Sequence, residues 1–423
     1  MMLEPECSRI QQISDLLFQA AKKQNILTHI SWSSEVSAKF FSTGADQLPE
    51  LSYAPFDPSE TIALVEAARK LMGQSEIDHY FRKHSATIEK SALLLSACGT
   101  EDFFKYSRDL YGSPKDTHQD GVSTALTLAE HFNKILGSLA NIDLGAPPAA
   151  CNLAYAVGET ISTAMKRVFG EDAPDVLIVD TLSANCIAGR KRVRIRKTAC
   201  FTDKDIAQLI HHEAHIHVAT ALNGAEQTKL KILGVGHPGT TKTQEGLAVF
   251  SELITGSMDL DRMKRLSNRV IAIQMAIDGA DFIEVYRYFL AEVGKEEQAF
   301  ENASRVFRGG VVSGGAPFTK DVVYLEGLIR VHNFLRAIVS TGRADLLRML
   351  FCGKLDIEDI PVLWQLEKMG LCKQPKYLPP WASDMRFLFS YLAYSSFLNS
   401  MDLEPIKEHY NCLLKNIPKQ EAY

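Results

Sequence analysis

Apolar positions recur three and four residues apart along most of the chain, which predicts a mainly helical protein. In SRIQQISDLLFQAAKKQ (8–24) the stripe is Ile10, Ile13, Leu16, Leu17 and Ala20. SETIALVEAARKLMG (59–73) predicts a helix with Ser59 as N-cap and Gly73 at its end. KSALLLSACG (90–99) reads as a short apolar helix stopped by Gly99, and GTEDFFKYSRDLYGSP (99–114) as another, closed by Gly112 and Pro114. PPAACNLAYAVGETISTAMKRVFG (147–170) predicts a long helix ending at Gly170.

The period then changes. DVLIVD (175–180) is a continuous apolar run that predicts a buried strand. RVRIR (192–196) alternates strictly, so it reads as a half-buried, edge-like strand with a basic face. FTDKDIAQLIHHEAHIHVATALNG returns to the helical period, from Thr202 as N-cap to Gly224. Asp203 and Asp205 fall in its first turn, where they suit the helix dipole. A loop, GVGHPGTTKT (234–243), leads to a helix in TQEGLAVFSELITG (243–256). VFRGGVVSGGAPFTK (306–320) is a glycine-rich connection before the helix KDVVYLEGLIRVHNFLRAIVS (320–340). The rest is helical, with a proline-rich break at QPKYLPPW (374–381). The expected fold is α+β, mainly helical, with a small sheet beside the histidine-bearing helix. Three regions with soft boundaries follow: 1–150 N-terminal helical, 151–350 core, 351–423 C-terminal helical.

Composition narrows the function classes. The 423 residues are 46% apolar and 23% charged with net charge −5, so no global basic field points to a nucleic acid. The one basic run, RKRVRIRK (190–197), reads as a solvated face. None of the eight cysteines forms a C-x-x-C pair, which predicts scattered, mostly buried thiols in a reduced, cytoplasmic protein. The opening MMLEPECSRI is too polar for a signal peptide, and no apolar run nears the roughly 20 residues that span a bilayer. A membrane partner is therefore not expected.

The chemistry concentrates in HHEAHIH (211–217), four histidines and a glutamate in seven positions. His212-Glu213 resembles the start of H-E-x-x-H, but Ile216 stands where the second histidine belongs. His217 is next, five residues on, and on an ideal helix such residues diverge by about 140°. For both to reach one metal the helix must widen, as a π-bulge does. A third ligand must come from elsewhere. Glu245 is the best candidate and Glu252, about two turns further on, the alternative. His211 and His215 read as solvent-exposed helix histidines.

H-E-x-x-x-H at 212–217, Asn223-Gly224 and QEGLA at 244–248 together resemble the QEGLA-motif family. That family includes the microtubule-associated tyrosine carboxypeptidases. GTEDFFKYSRDLYGSP and FRGG followed by PFTKDVVYLEG look like the same family, so the resemblance spans roughly 40–350. It implies a zincin-like metallopeptidase core with one Zn2+ per chain, held by His212, His217 and Glu245. It implies Glu213 as general base and then acid. It implies as partner a peptide or protein whose C-terminus is aromatic, tyrosine or phenylalanine.

Two further needs of such a reaction select candidates. The oxyanion requires a donor besides the metal, for which Tyr324 is proposed. The substrate's terminal carboxylate requires a cation, for which Arg308, Lys320 and Arg194 are proposed. Strand 192–196 is also expected to pair with an extended peptide. A non-catalytic regulator with a structural metal and a zinc endopeptidase are the competing readings.

Overall fold

The structure is a computed structural model and describes residues 4–139, 142, 151–180, 182 and 185–415. It is mainly helical with a small sheet, as the periodicity predicts. The first amphipathic stripe forms α1 (Glu4–Lys22), which buries Ile10, Ile13, Leu17 and Ala20, and a one-turn α2 (Ile26–His29) follows. The helix expected at 59–73 runs Ser59–Lys70, and Asp57 rather than Ser59 meets its first free amide, Ser59 N, at 2.9 Å. The apolar run at 90–99 is not a separate helix. It ends a 21-residue helix, Glu76–Ser96, which starts in a capping box between Ser75 and Asp78. The buried polar residues His84, Ser85 and Ser91 interrupt the apolar stripe and hide its length in the sequence.

The helix expected from residue 147 is Ala154–Phe169; residues 147–150 lie outside the described residues. Before it, β1 (Asn152–Leu153) pairs antiparallel with β5 (Cys200–Phe201). That pairing brings together Cys151 and Cys200, 49 residues apart, with Cα atoms 5.3 Å apart, and they form a disulfide. The expectation of thiols throughout fails at this pair, because only the strand register makes the two cysteines neighbours. Cys186, Cys352 and Cys372 are buried thiols, while Cys412 is exposed.

The other sheet has three strands: β2 (Asp175–Val179), β3 (Cys186–Ala188) and β4 (Arg192–Arg196), in the order β2-β4-β3. β4 is therefore central, parallel to β2 and antiparallel to β3. This corrects its expected edge position, and with both sides bonded it cannot accept a peptide strand. Among the described residues, the free edge beside the histidine helix belongs to β3. Val193 and Ile195 are fully buried and Arg192 and Arg194 exposed, as the alternation implies. β2, expected to be buried, is an edge strand with Leu177 38% exposed. Val176 and Ile178 pack over Gly158 of the preceding helix.

The helix predicted from Thr202 to Gly224 is continuous, and Thr202 caps it in a box with Asp205. It runs as α-helix over Asp203–Leu209, as π-helix over Ile210–Val218 and as α-helix again over Ala219–Ala225. Ile216 joins the main hydrophobic cluster, which extends from Ile10 to Leu392, while Ala214, Val218 and Ala219 pack with the sheet. The apolar residues between the histidines thus seat the helix between two cores.

The loop expected at 234–243 is shorter, because the next helix already begins at Pro238 and runs to Ile254. His237 caps it by accepting the Gly239 amide on Nδ1 at 3.2 Å. The outer nitrogen of His237 meets His84 Nδ1 at 3.1 Å, and His84 Nε2 meets Asp359 at 3.0 Å. Helix Pro238–Ile254 crosses helix Val323–Ser340 at two glycines. A Cβ on Gly246 would lie 2.3 Å from the Gly327 carbonyl oxygen, and one on Gly327 would lie 2.2 Å from the Lys242 oxygen. No described helix is long and apolar enough to cross a membrane.

Candidate functional site

The nine-residue π segment is longer than a single bulge, and it does what the histidine spacing requires. Bonding from i to i+5 stacks residues five apart, so His212 and His217 share a face. Their ring centroids are 4.9 Å apart. Helix Pro238–Ile254 crosses that face and delivers Glu245. Its Oε2 lies 3.5 Å from His212 Nε2 and 3.4 Å from His217 Nε2. One ligand atom from each of the three residues falls within 4.8 Å of the others. Glu245 Oε2 is buried and accepts no hydrogen bond. These residues form the one such cluster of potential metal ligands among the described residues.

Glu252 is not a fourth member. It is fully buried and accepts from His212 Nδ1 at 2.6 Å. Arg262 grips the same carboxylate through Nε at 2.8 Å and Nη2 at 2.9 Å, and Gln208 adds a bond at 3.1 Å. Burial would raise Glu252, but Arg262 and His212 outweigh it and hold the carboxyl at about 2. The proton on His212 Nδ1 is thereby committed, and Nε2 faces Glu245. Burial would likewise lower the His212 imidazole, but the Glu245 and Glu252 carboxylates raise it to about 10.

Each letter of QEGLA now has a physical reason. Gln244 accepts from Thr220 at 2.8 Å and from Lys354 at 2.9 Å. Glu245 faces the histidines, Gly246 permits the backbone crossing, and Leu247 and Ala248 are fully buried core. Asn223, of the NG pair, donates to the carbonyls of Phe351 and Tyr377 at 2.8 and 2.7 Å.

Glu213 turns the other way from the core, toward the sheet. Its Oε2 accepts the Ala188 amide of edge strand β3 at 3.2 Å. His211 and His215 are not solvent-exposed as expected. His215 is 6% exposed and its Nδ1 meets His211 Nδ1 at 3.3 Å. Burial lowers both imidazoles, and with His211 beside it His215 falls to about 4, so the two form a neutral pair away from the cluster.

The remaining candidates divide. Lys320 is buried with Nζ 3.3 Å from Glu245 Oε1; burial opposes its charge, but Tyr324 and Glu245 keep it protonated. Tyr324 lies against His212 at 6.5 Å between centroids, with Lys320 and Arg269 over its ring. Arg308 is buried against Phe318, and its Nε has no partner. Arg194 lies on the exposed face of central strand β4, which the structure does not bring to the cluster.

A cleft of about 320 Å³ opens beside His217 and Glu245. Lys320, Lys354 and Tyr111 line it, with Pro238 and Thr240 of the QEGLA helix and the turn from α1 to α2. Lys354 and Tyr111 were missed in the sequence. Lys354 donates to the His217 carbonyl at 3.2 Å and to Thr220 at 3.0 Å, and burial lowers it to about 8. It lies 137 residues from His217 along the chain, beyond the reach of any spacing argument.

No curated protein matched the chain. The family model of the microtubule-associated tyrosine carboxypeptidases matches residues 38–400, further toward the C-terminus than the motifs reach. With most of its length in that match, the chain belongs to the microtubule-associated tyrosine carboxypeptidase family and is thereby placed among the carboxypeptidases.

Proposed function

We propose that this protein is a zinc-dependent carboxypeptidase with a zincin-like core that releases a C-terminal tyrosine or phenylalanine from a peptide or protein. The observation that carries the reading is the spacing of three donor atoms. Ligands at about 2.0–2.2 Å in a tetrahedron stand roughly 3.3–3.6 Å apart. Glu245 Oε2 stands 3.5 and 3.4 Å from the two imidazole nitrogens, with no hydrogen bond of its own. Two imidazoles and a carboxylate are a donor set suited to Zn2+, and three protein ligands leave the fourth position open. The carboxylate that orients His212 from behind is the usual companion of a ligating histidine.

When bound, zinc supplies an acidified water and polarises the scissile carbonyl. Glu213, adjacent in sequence to ligand His212 and steadied by the Ala188 amide, takes a proton from the attacking water and passes it to the leaving nitrogen. Tyr324, against His212, is the proposed donor to the developing oxyanion. Lys320 is the proposed anchor for the substrate's terminal carboxylate, since it is buried, charged and part of the cleft. Arg308, buried with an unpaired Nε, is proposed as a weaker contributor through the field, while Arg194 stays on the exposed face of β4 and is given no part. β3, not β4, offers the free edge for the substrate's upstream backbone. A cleft of this size, walled in part by the α1–α2 turn, favours trimming at a chain end over cutting within a chain.

Two outcomes test the metal. Removal of zinc by a chelator is expected to stop release and lower the melting temperature, and zinc is expected to restore both. Release unaffected by a chelator that demonstrably strips the protein would contradict the proposal. Glu252→Gln is expected to weaken zinc binding by about 10–100-fold, because His212 loses its anionic partner. Competition against a colorimetric chelator reads that change, and an unchanged affinity would make Glu252 merely structural.

A further inference from the structure

One wall of the cleft comes from a part of the chain that the family match does not include. Ala21, Gln24, Asn25, Ile26 and Leu27, at the turn from α1 to α2, line the cavity together with Pro238 and Tyr111, and the match begins at residue 38. The wall is fixed rather than loose. Gln24 Nε2 donates to the Ile88 carbonyl at 2.7 Å, and Ser91 donates to Gln24 Oε1, which pins the turn to helix Glu76–Ser96. Ile26 packs on the cluster that holds Tyr111, itself 2% exposed and edge-on to Phe318 at 5.4 Å. Leu27 is 39% exposed although it borders a cavity.

The cleft therefore combines two chemistries. Lys320 and Lys354, beside Glu245 and His217, supply positive charge. Ala21, Ile26, Leu27, Pro238 and Tyr111 supply apolar surface. At about 320 Å³ it has room for one large amino-acid residue and little more. We propose that the α1–α2 turn, with Leu27 and Ile26 as its contact residues, is the specificity wall against which the side chain of the released residue packs. This rests on the carboxypeptidase reading above. It adds that the preference for a large apolar or aromatic end is set in this chain by residues outside the family-matched segment.

The experiment uses zinc-loaded full-length protein and peptides of one sequence that end in Tyr, Phe, Leu, Ala or Glu. For Leu27→Ala, and for Ile26→Ala combined with it, kcat/KM on the Tyr and Phe peptides is expected to fall about tenfold, mostly through KM. The Ala-ended peptide is expected to change less than about twofold, so the order of preference flattens. Leu27→Ala removes a partly exposed side chain and leaves the core intact, so it decides the matter if the double variant melts early. An unaltered order of preference in a folded Leu27→Ala variant that still releases residues would overturn the wall assignment alone. Absence of release by the zinc-loaded wild type from every peptide would overturn the carboxypeptidase reading and this inference with it.

Discussion

Glu213→Gln is expected to slow release of the C-terminal residue by a factor of about 10²–10⁴ and to leave bound zinc unchanged. The magnitude is that of a positioned general base, about 3–5 kcal/mol of barrier. The structure separates the two effects cleanly. His212, His217 and Glu245 converge on one point, while Glu213 Oε2 accepts the Ala188 amide of β3. Glutamine keeps the side-chain oxygen that accepts the Ala188 amide, so the carboxamide stays in place and stability changes little. Loss of metal in this variant would place Glu213 among the ligands instead. Unimpaired release would remove it from the mechanism. His212→Ala is the useful contrast, since it is expected to lose metal and activity together.

Gly246→Ala is expected to cost about 2–3 kcal/mol of stability and to impair release by more than that loss of fold explains. Alanine is the better helix former by about 1 kcal/mol, so propensity alone predicts the opposite sign. Sterics win because the new Cβ would meet the Gly327 carbonyl oxygen at 2.3 Å and its carbon at 2.4 Å, backbone atoms with no rotamer to change. Overpacking of this kind costs about 1–3 kcal/mol, occasionally more. The two helices must part, and Glu245 moves with its neighbour Gly246. Zinc affinity is thus expected to fall along with the melting temperature. Gly327→Ala is expected to give the same phenotype, and the double variant less than the sum, because both relieve one crossing. A Gly246→Ala protein with wild-type melting and wild-type zinc affinity would show that the crossing is looser than described.

The sequence was most informative where chemistry and backbone coincide. An i,i+5 histidine pair can serve one metal only on a widened helix, so a local π widening could be inferred from HHEAHIH before any coordinates, though not its extent over Ile210–Val218. The mainly helical fold followed from the 3.6-residue period for the same local reason. What escaped depends on partners far away in the chain. β4 alternates as an edge strand does, yet β3 and β2 flank it, and short strands of three and five residues leave little pattern to read. Cys151 and Cys200 become neighbours only through the β1–β5 register. Glu252 shares a helix face with Glu245, and only the approach of Arg262 and His212 Nδ1 decides that it pairs with them instead of joining the cluster. Lys354 and Tyr111 carry no motif, and only the fold brings them to the cleft.

The central claim meets its most direct test in the mass spectrum of a peptide ending in tyrosine after incubation with the zinc-loaded protein. Loss of that single residue from the C-terminus, absent with Glu213→Gln, is the predicted result. An intact peptide, an internal cut or shortening from the N-terminus would contradict it.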